Sequence, residues 1–171
     1  MIFMYKKVIK ENILIEYLEE LFEEPQAQAM IKGSDAYRGI NGRVTFYATP
    51  KGVLVGVEVT GLPEMQQCEN SFLGFHIHEG ASCGTAGRNA FAGAGMHYNP
   101  NNCAHPAHAG DLPPLLVNNG QVFMVFLTDN FAIRDIVGKT VVIHSKADDF
   151  TSQPAGNSGD RIACGEIYSL S

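Results

Sequence analysis

Tryptophan is absent from this 171-residue chain, cysteine occurs four times, and 12 basic side chains face 18 acidic ones. The formal charge of −6 removes the basic footprint that phosphate backbones need, so nucleic acid is not expected as a partner. No run approaches the roughly 20 apolar residues of a membrane span, which leaves a soluble domain as the expectation. The N-terminal stretch carries Lys6, Lys7 and Lys10, but acids interrupt the apolar run behind them and no small-residue cleavage site closes it. No signal peptide is evident, which points to the cytoplasm, while four cysteines are compatible with disulfides in an oxidising compartment. Four thiols allow three pairings, and their spacing does not choose among them. What is present is 45% hydrophobic residues, 18 glycines and 8 prolines, a composition that favours one turn-rich β domain with a single core.

Up to about Glu24, Leu14, Tyr17, Leu18, Leu21 and Phe22 recur at spacings of three and four, and Pro25 follows. This pattern predicts an amphipathic helix over residues 1–25 that stands outside a core domain of residues 26–171. From Gln26 the period changes to two: Ala27, Ala29 and Ile31 alternate, and GRVTFYAT and GVLVGVEVTGL follow with turn signals between them. Further strands are expected at Phe72 to His78, Leu112 to Val117, Gln121 to Thr128, Thr140 to His144 and Arg161 to Ile167. Eight short strands imply an all-β sandwich or barrel. Two strand-free stretches, Glu79 to Gly110 and Ala147 to Asp160, are long enough to read as functional loops.

Five of the six histidines lie in or beside the first loop, and the sixth opens the second. His76 and His78 stand two apart on a predicted strand, so their imidazoles share a face. A lone HxH pair is more often a hydrogen-bonded couple than a metal site; here His97, His105, His108, Asp111 and His144 accompany it. Imidazole suits zinc and copper, and two four-coordinate sites need seven ligands if one imidazole is shared. Six histidines and Asp111 make that number.

GFHIHEG, GMHYNP, HAGDLP, GKTVVIHSKADD and GNSGDRIACG, in this order, resemble the motifs of the copper,zinc superoxide dismutases, from about Gln26 to the C-terminus. The resemblance implies an eight-stranded Greek-key β-barrel, a sandwich architecture. It implies one copper and one zinc per chain: His76, His78, His97 and His144 as copper ligands, and His97, His105, His108 and Asp111 as zinc ligands, with His97 the shared bridge. By the same resemblance Asp148 links His76 to His105, Arg161 holds the superoxide anion, and Cys83 pairs with Cys164 to tie the first loop to the last strand. The implied reaction is disproportionation of superoxide to oxygen and hydrogen peroxide, with His97 also carrying a proton. A second copy and a copper-donor protein are the partners compatible with it.

The chain departs from the family at three places. Only two residues separate His105 from His108, the second loop, taken from Ser145 to Asp160, carries Lys146 as its only lysine, and the N-terminal segment has no place in the family core. Cys68 and Cys103 are left either to pair or to remain thiols. The alternative on the same fold is a non-enzymatic metal-binding or copper-delivery protein, which would typically lack copper ligands or add a cysteine motif. A zinc hydrolase would need a base such as Glu79, which as the neighbour of His78 points to the opposite face.

Overall fold

The computed structural model describes residues 24–64, 68, 70–87 and 89–170. The N-terminal helix expected over residues 1–25 falls almost wholly outside these residues. The described residues form nine strands: β1 (Ala27–Gly33), β2 (Asn41–Thr49), β3 (Gly52–Thr60), β4 (Phe72–Leu73), β5 (Phe75–His78), β6 (Leu115–Leu116), β7 (Val122–Thr128), β8 (Thr140–His144) and β9 (Arg161–Ser169). Among the described residues the only α-helix is the single turn α1 (Ile133–Ile136).

Seven strands form one curled antiparallel sheet in the order β5-β8-β9-β1-β2-β3-β7, and β4 pairs with β6 in a two-stranded ribbon. The curl makes a half-barrel, because right-handed strand twist accumulates across so many neighbours. The chain is all-β, as the composition and motifs imply, with one more strand than the alternation suggests. The run from Phe72 to His78 changes partner at Gly74: Phe72 and Leu73 pair with β6, and Phe75 onward with β8. Gly74 makes the corner itself, donating its N–H to the Lys146 carbonyl and accepting from the His144 N–H. A Cβ at Gly74 would come within 2.8 Å of Ser158, so only glycine brings strand and second loop this close.

Alternation places one face of each strand in the core. Ala27, Ala29 and Ile31 of β1, Val44 and Phe46 of β2, and Val53, Val55, Val57 and Val59 of β3 are all buried there. Strands β5 and β8 differ, being buried on both faces. Phe75, Ile77, Val141 and Ile143 face the core, so by the period of two His76, His78, Val142 and His144 face the opposite way. Loop one folds over that outer face and hydrogen-bonds along β5: Ile77 donates to the Gly110 carbonyl, Tyr98 donates to Ile77, and Glu79 donates to Met96. Two isolated bridges, His76 with Asp111 and His78 with His97, carry the same contact. The disulfide Cys83–Cys164 fastens the loop to β9, and Phe91, Ala94 and Val142 pack around it.

Candidate metal centre

Seven side chains that lie up to 68 residues apart in the chain meet beneath the two loops. His76 and His78 come from β5, His144 from the end of β8, and His97, His105, His108 and Asp111 from loop one. Two groups result, each with one ligand atom per residue and all such atoms within 4.8 Å of one another. The first is His76, His78, His97 and His144; the second is His97, His105, His108 and Asp111. His97 belongs to both.

Carbonyl and carboxylate partners decide which nitrogen of each ring is bare. Nδ1 of His78 donates to the Gly95 carbonyl at 3.0 Å, and Nδ1 of His144 to the Gly159 carbonyl at 3.4 Å. A carbonyl can only accept, so both Nδ1 atoms hold the proton and both Nε2 atoms present a lone pair. Those two Nε2 atoms face each other at 3.3 Å, an arrangement that needs a cation between or beside them. Asp148 does the same work for two other rings: Oδ2 accepts from His76 Nε2 at 2.7 Å and Oδ1 from His105 Nε2 at 2.9 Å. Nδ1 of His76 and Nδ1 of His105 are thereby left bare, and neither has a hydrogen-bond donor. His97 Nε2 and His108 Nδ1 are also buried without a hydrogen bond.

In the second group Asp111 is the hub. Its Oδ1 lies 2.8 Å from His97 Nδ1, and its Oδ2 lies 3.0 Å from His105 Nδ1 and 3.2 Å from His108 Nδ1. The His108 N–H also donates to Oδ2, at 3.0 Å. Burial pushes the Asp111 carboxyl up; hydrogen bonds from His97 and the His108 N–H, with the charges of His97 and His105, outweigh it and hold the group below its ordinary value.

Burial is the leading cause of the depressed histidines. It brings His76 down to about 2 and His144 to about 4, and His78 lies well below 6.5 for the same reason. Neighbouring rings add repulsion: His97 and His144 act on His76, and His144 and His97 act on His78. Crowded imidazoles that refuse protons while keeping their lone pairs inward are set up for a metal ion. Four buried ring nitrogens with no hydrogen bond, in two groups of nitrogen-rich donors, fit copper and zinc.

Arg161, at the start of β9, is half-buried beside the first group. Its Nη1 donates to the Phe91 carbonyl at 2.7 Å and its Nη2 to the Gly95 carbonyl, the acceptor that also orients His78. Burial lowers this guanidinium from its ordinary value, yet it remains a cation at neutral pH. It lines an open cleft of about 720 Å³ with Tyr37, Glu79, Met96 and Asp160.

The structure thus brings together every histidine singled out from sequence, with Asp111, Asp148 and Arg161 beside them. Cys68 and Cys103, whose pairing the sequence leaves open, are exposed free thiols. Four positioning groups escaped sequence reasoning, the first being the Gly159 carbonyl that orients His144. The Gly95 carbonyl orients His78 and Arg161, and Phe91, in the left-handed region at φ 55°, turns its carbonyl to Arg161. Gln153 clamps the His105 peptide, accepting its N–H at 3.0 Å and donating to its carbonyl at 2.6 Å, which braces the short segment before His108. Gly95, two residues before His97, and Gly159 offer a sequence signal as glycines, at positive φ of 70° and 78°.

Comparison with known proteins gives one consistent result. The copper/zinc superoxide dismutase family matches residues 40–167. A superoxide dismutase [Cu-Zn] of Legionella pneumophila is 39% identical over 134 residues, covering 74% of this chain and 76% of the relative. Among solved structures, a Cu/Zn superoxide dismutase from Brucella abortus superposes with a TM-score of 0.71 at 25% identity, covering 82% of this chain and 99% of the other. A SOD-like protein from Bacillus subtilis superposes with a TM-score of 0.66 at 30% identity, covering 81% and 96%.

Proposed function

Because the chain belongs to the copper/zinc superoxide dismutase family, we propose that it disproportionates superoxide at a copper-zinc centre bridged by His97. The observation that carries the reading is the pair of four-residue groups sharing His97, with four buried ring nitrogens aimed inward and no hydrogen bond to satisfy them. In this reading Nδ1 of His76 and Nε2 of His78, His97 and His144 hold copper. Nδ1 of His97, His105 and His108 and a carboxylate oxygen of Asp111 hold zinc. Copper supplies reversible one-electron chemistry when bound, and zinc, which has none, supplies a fixed geometry for the shared ring.

The remaining work belongs to the chain's own side chains. Two superoxide anions and two protons give one oxygen and one hydrogen peroxide. Arg161 offers a permanent charge and donors to the small anion from the cleft it lines, and its two carbonyl bonds hold the guanidinium plane in place. His97 is the ring between the two groups, and its buried Nε2 is the atom placed to hold a proton and pass it to the reduced oxygen species. Asp148 fixes one ring of each group by accepting from both, so the two half-sites keep a common orientation.

Metal analysis and a superoxide assay on one purified sample, before and after copper addition, test the proposal. The expected content is about one copper and about one zinc per chain, with catalytic loss of superoxide only in the copper-loaded protein. Replacing His144 abolishes turnover while zinc stays bound, whereas replacing Asp111 loosens zinc first. A copper-loaded, disulfide-intact protein that does not remove superoxide catalytically sinks the reading and leaves a metal-binding protein on the same fold.

A further inference from the structure

Just past the end of β5, loop one keeps its pairing for one more step. The His78–His97 bridge is antiparallel, so the next position in register sets Glu79 opposite Met96, and the Glu79 N–H donates to the Met96 carbonyl at 2.8 Å. Side chains alternate across such a pair. His78 and His97 turn inward and are buried, whereas Glu79 is exposed and Met96 is 48% exposed. Opposite side chains in an antiparallel pair stand about 5 Å apart at Cβ, so a carboxylate and a thioether meet at the surface one step outside two copper-ligand candidates. Gly95 leaves the carboxylate its place. Glu79 Oε1 lies 3.5 Å from the Met96 nitrogen, and a Cβ at Gly95 would come within 3.1 Å of Glu79 Cγ. Both side chains line the cleft that holds Arg161.

Toward an anion only Arg161 in this cleft is useful. Glu79 and Asp160 set two negative charges against that one positive charge, a net −1 along the lining, and such a rim draws cations. Resting on the copper reading above, we infer that Glu79 and Met96 form an acquisition site that takes Cu(I) at the mouth of the cleft and passes it to His78 and His97. Softness selects the ion. Thioether sulfur prefers Cu(I), whereas four imidazoles, or three with a carboxylate, accept copper and zinc alike. The rim thus supplies a discrimination that the two nitrogen-rich groups lack. Asp111 of the second group lines another cleft, of about 320 Å³, whose lining contains no sulfur. The transfer is ligand exchange at constant oxidation state, so no electron moves. Two bare ring nitrogens, Nε2 of His78 and Nε2 of His97, replace one weak thioether and one solvated carboxylate, which drives the ion inward.

The test uses the full chain, zinc-loaded and with the Cys83–Cys164 bond intact, carrying Cys68→Ser and Cys103→Ser because exposed thiols bind Cu(I) themselves. Cu(I) is offered without oxygen as its coloured bicinchoninate complex, and the fading of the colour gives the loading rate. Met96→Leu is expected to load about tenfold more slowly to the same final copper content, and Glu79→Gln severalfold more slowly. When Cu(II) is offered instead, Met96→Leu keeps pace with the parent, since the harder ion gains little from sulfur. Met30→Leu, 49% exposed on β1 and outside the cleft, loads Cu(I) at the parent's rate. Equal Cu(I) rates for Met96→Leu and the parent overturn the inference and leave the copper centre standing. Equal slowing by Met30→Leu overturns it too. A parent that takes up no copper overturns both this inference and the copper reading it rests on.

Discussion

At the scale of single residues, the centre is governed by which ring nitrogen carries the proton, and three acceptors decide it: Asp148, Gly95 and Gly159. Gly156 shows how tight the arrangement is. At φ 65° it lies against the carboxylate, and a Cβ there would stand 2.1 Å from Asp148 Oδ1 and 2.6 Å from His105 Nε2. Gly156→Ala is therefore expected to displace Asp148 and weaken metal affinity about 10- to 100-fold, as changes to groups that orient metal ligands do; competition with a graded chelator measures this. The depressed histidines add a pH dependence for the metal-free protein. Folded His76, at about 2, and His144, at about 4, stay neutral where the unfolded chain, at 6.5, takes up protons. Stability is thus full above pH 6.5 and falls as pH drops below it. Between pH 7.5 and 5 the loss is about 2 kcal/mol for each of these two histidines. Denaturant midpoints of the metal-free protein at the two pH values should show it, and an unchanged midpoint would contradict the burial argument.

At the scale of elements, loop one is a structured arm rather than a tether. It runs along β5 through backbone bonds, is stapled to β9 by Cys83–Cys164, and receives a further bond from the Cys83 N–H to Glu166. The disulfide closes a span of 81 residues, for which the chain-entropy model gives ~4–5 kcal/mol. Replacing both cysteines by serine is expected to lower the unfolding free energy by that order, read from denaturant titration. Because Phe91 packs against the disulfide and its carbonyl holds Arg161, the same change also reduces turnover while both metals stay bound. Loss of metal in step with activity would show instead that the staple serves only the ligands. Strands β5 and β8 explain why the alternation test weakens in this region. Covered by the core on one side and by loops on the other, they read as continuous apolar or histidine-bearing runs, and the break at Gly74 has no signature beyond the glycine itself.

At the scale of the whole molecule, charge opposes the proposed substrate, the superoxide anion. The chain carries −6, and the cleft that holds Arg161 also bears Glu79 and Asp160. Like-charged reactants meet faster when salt screens them, so the rate constant for superoxide removal is expected to rise, by up to about threefold, between low and physiological ionic strength. Stopped-flow decay across a salt series measures it, and a steep fall would reveal attractive steering from another part of the surface. The seven side chains that cluster and the all-β class were legible in the sequence, and Asp148 and Arg161 entered through the family resemblance. Side-chain chemistry is written there residue by residue, and period-two alternation survives in any one-sided strand. Asp148 reaches His76 and His105 across 72 and 43 residues, as the family resemblance implied; only the tertiary structure decided that Gln153 braces His105 and that the carbonyls of Phe91, Gly95 and Gly159 orient the arginine and two rings. Every residue carries the same carbonyl, so nothing in a sequence marks which one will be turned inward. That choice is made by the fold when loop and strand are brought together.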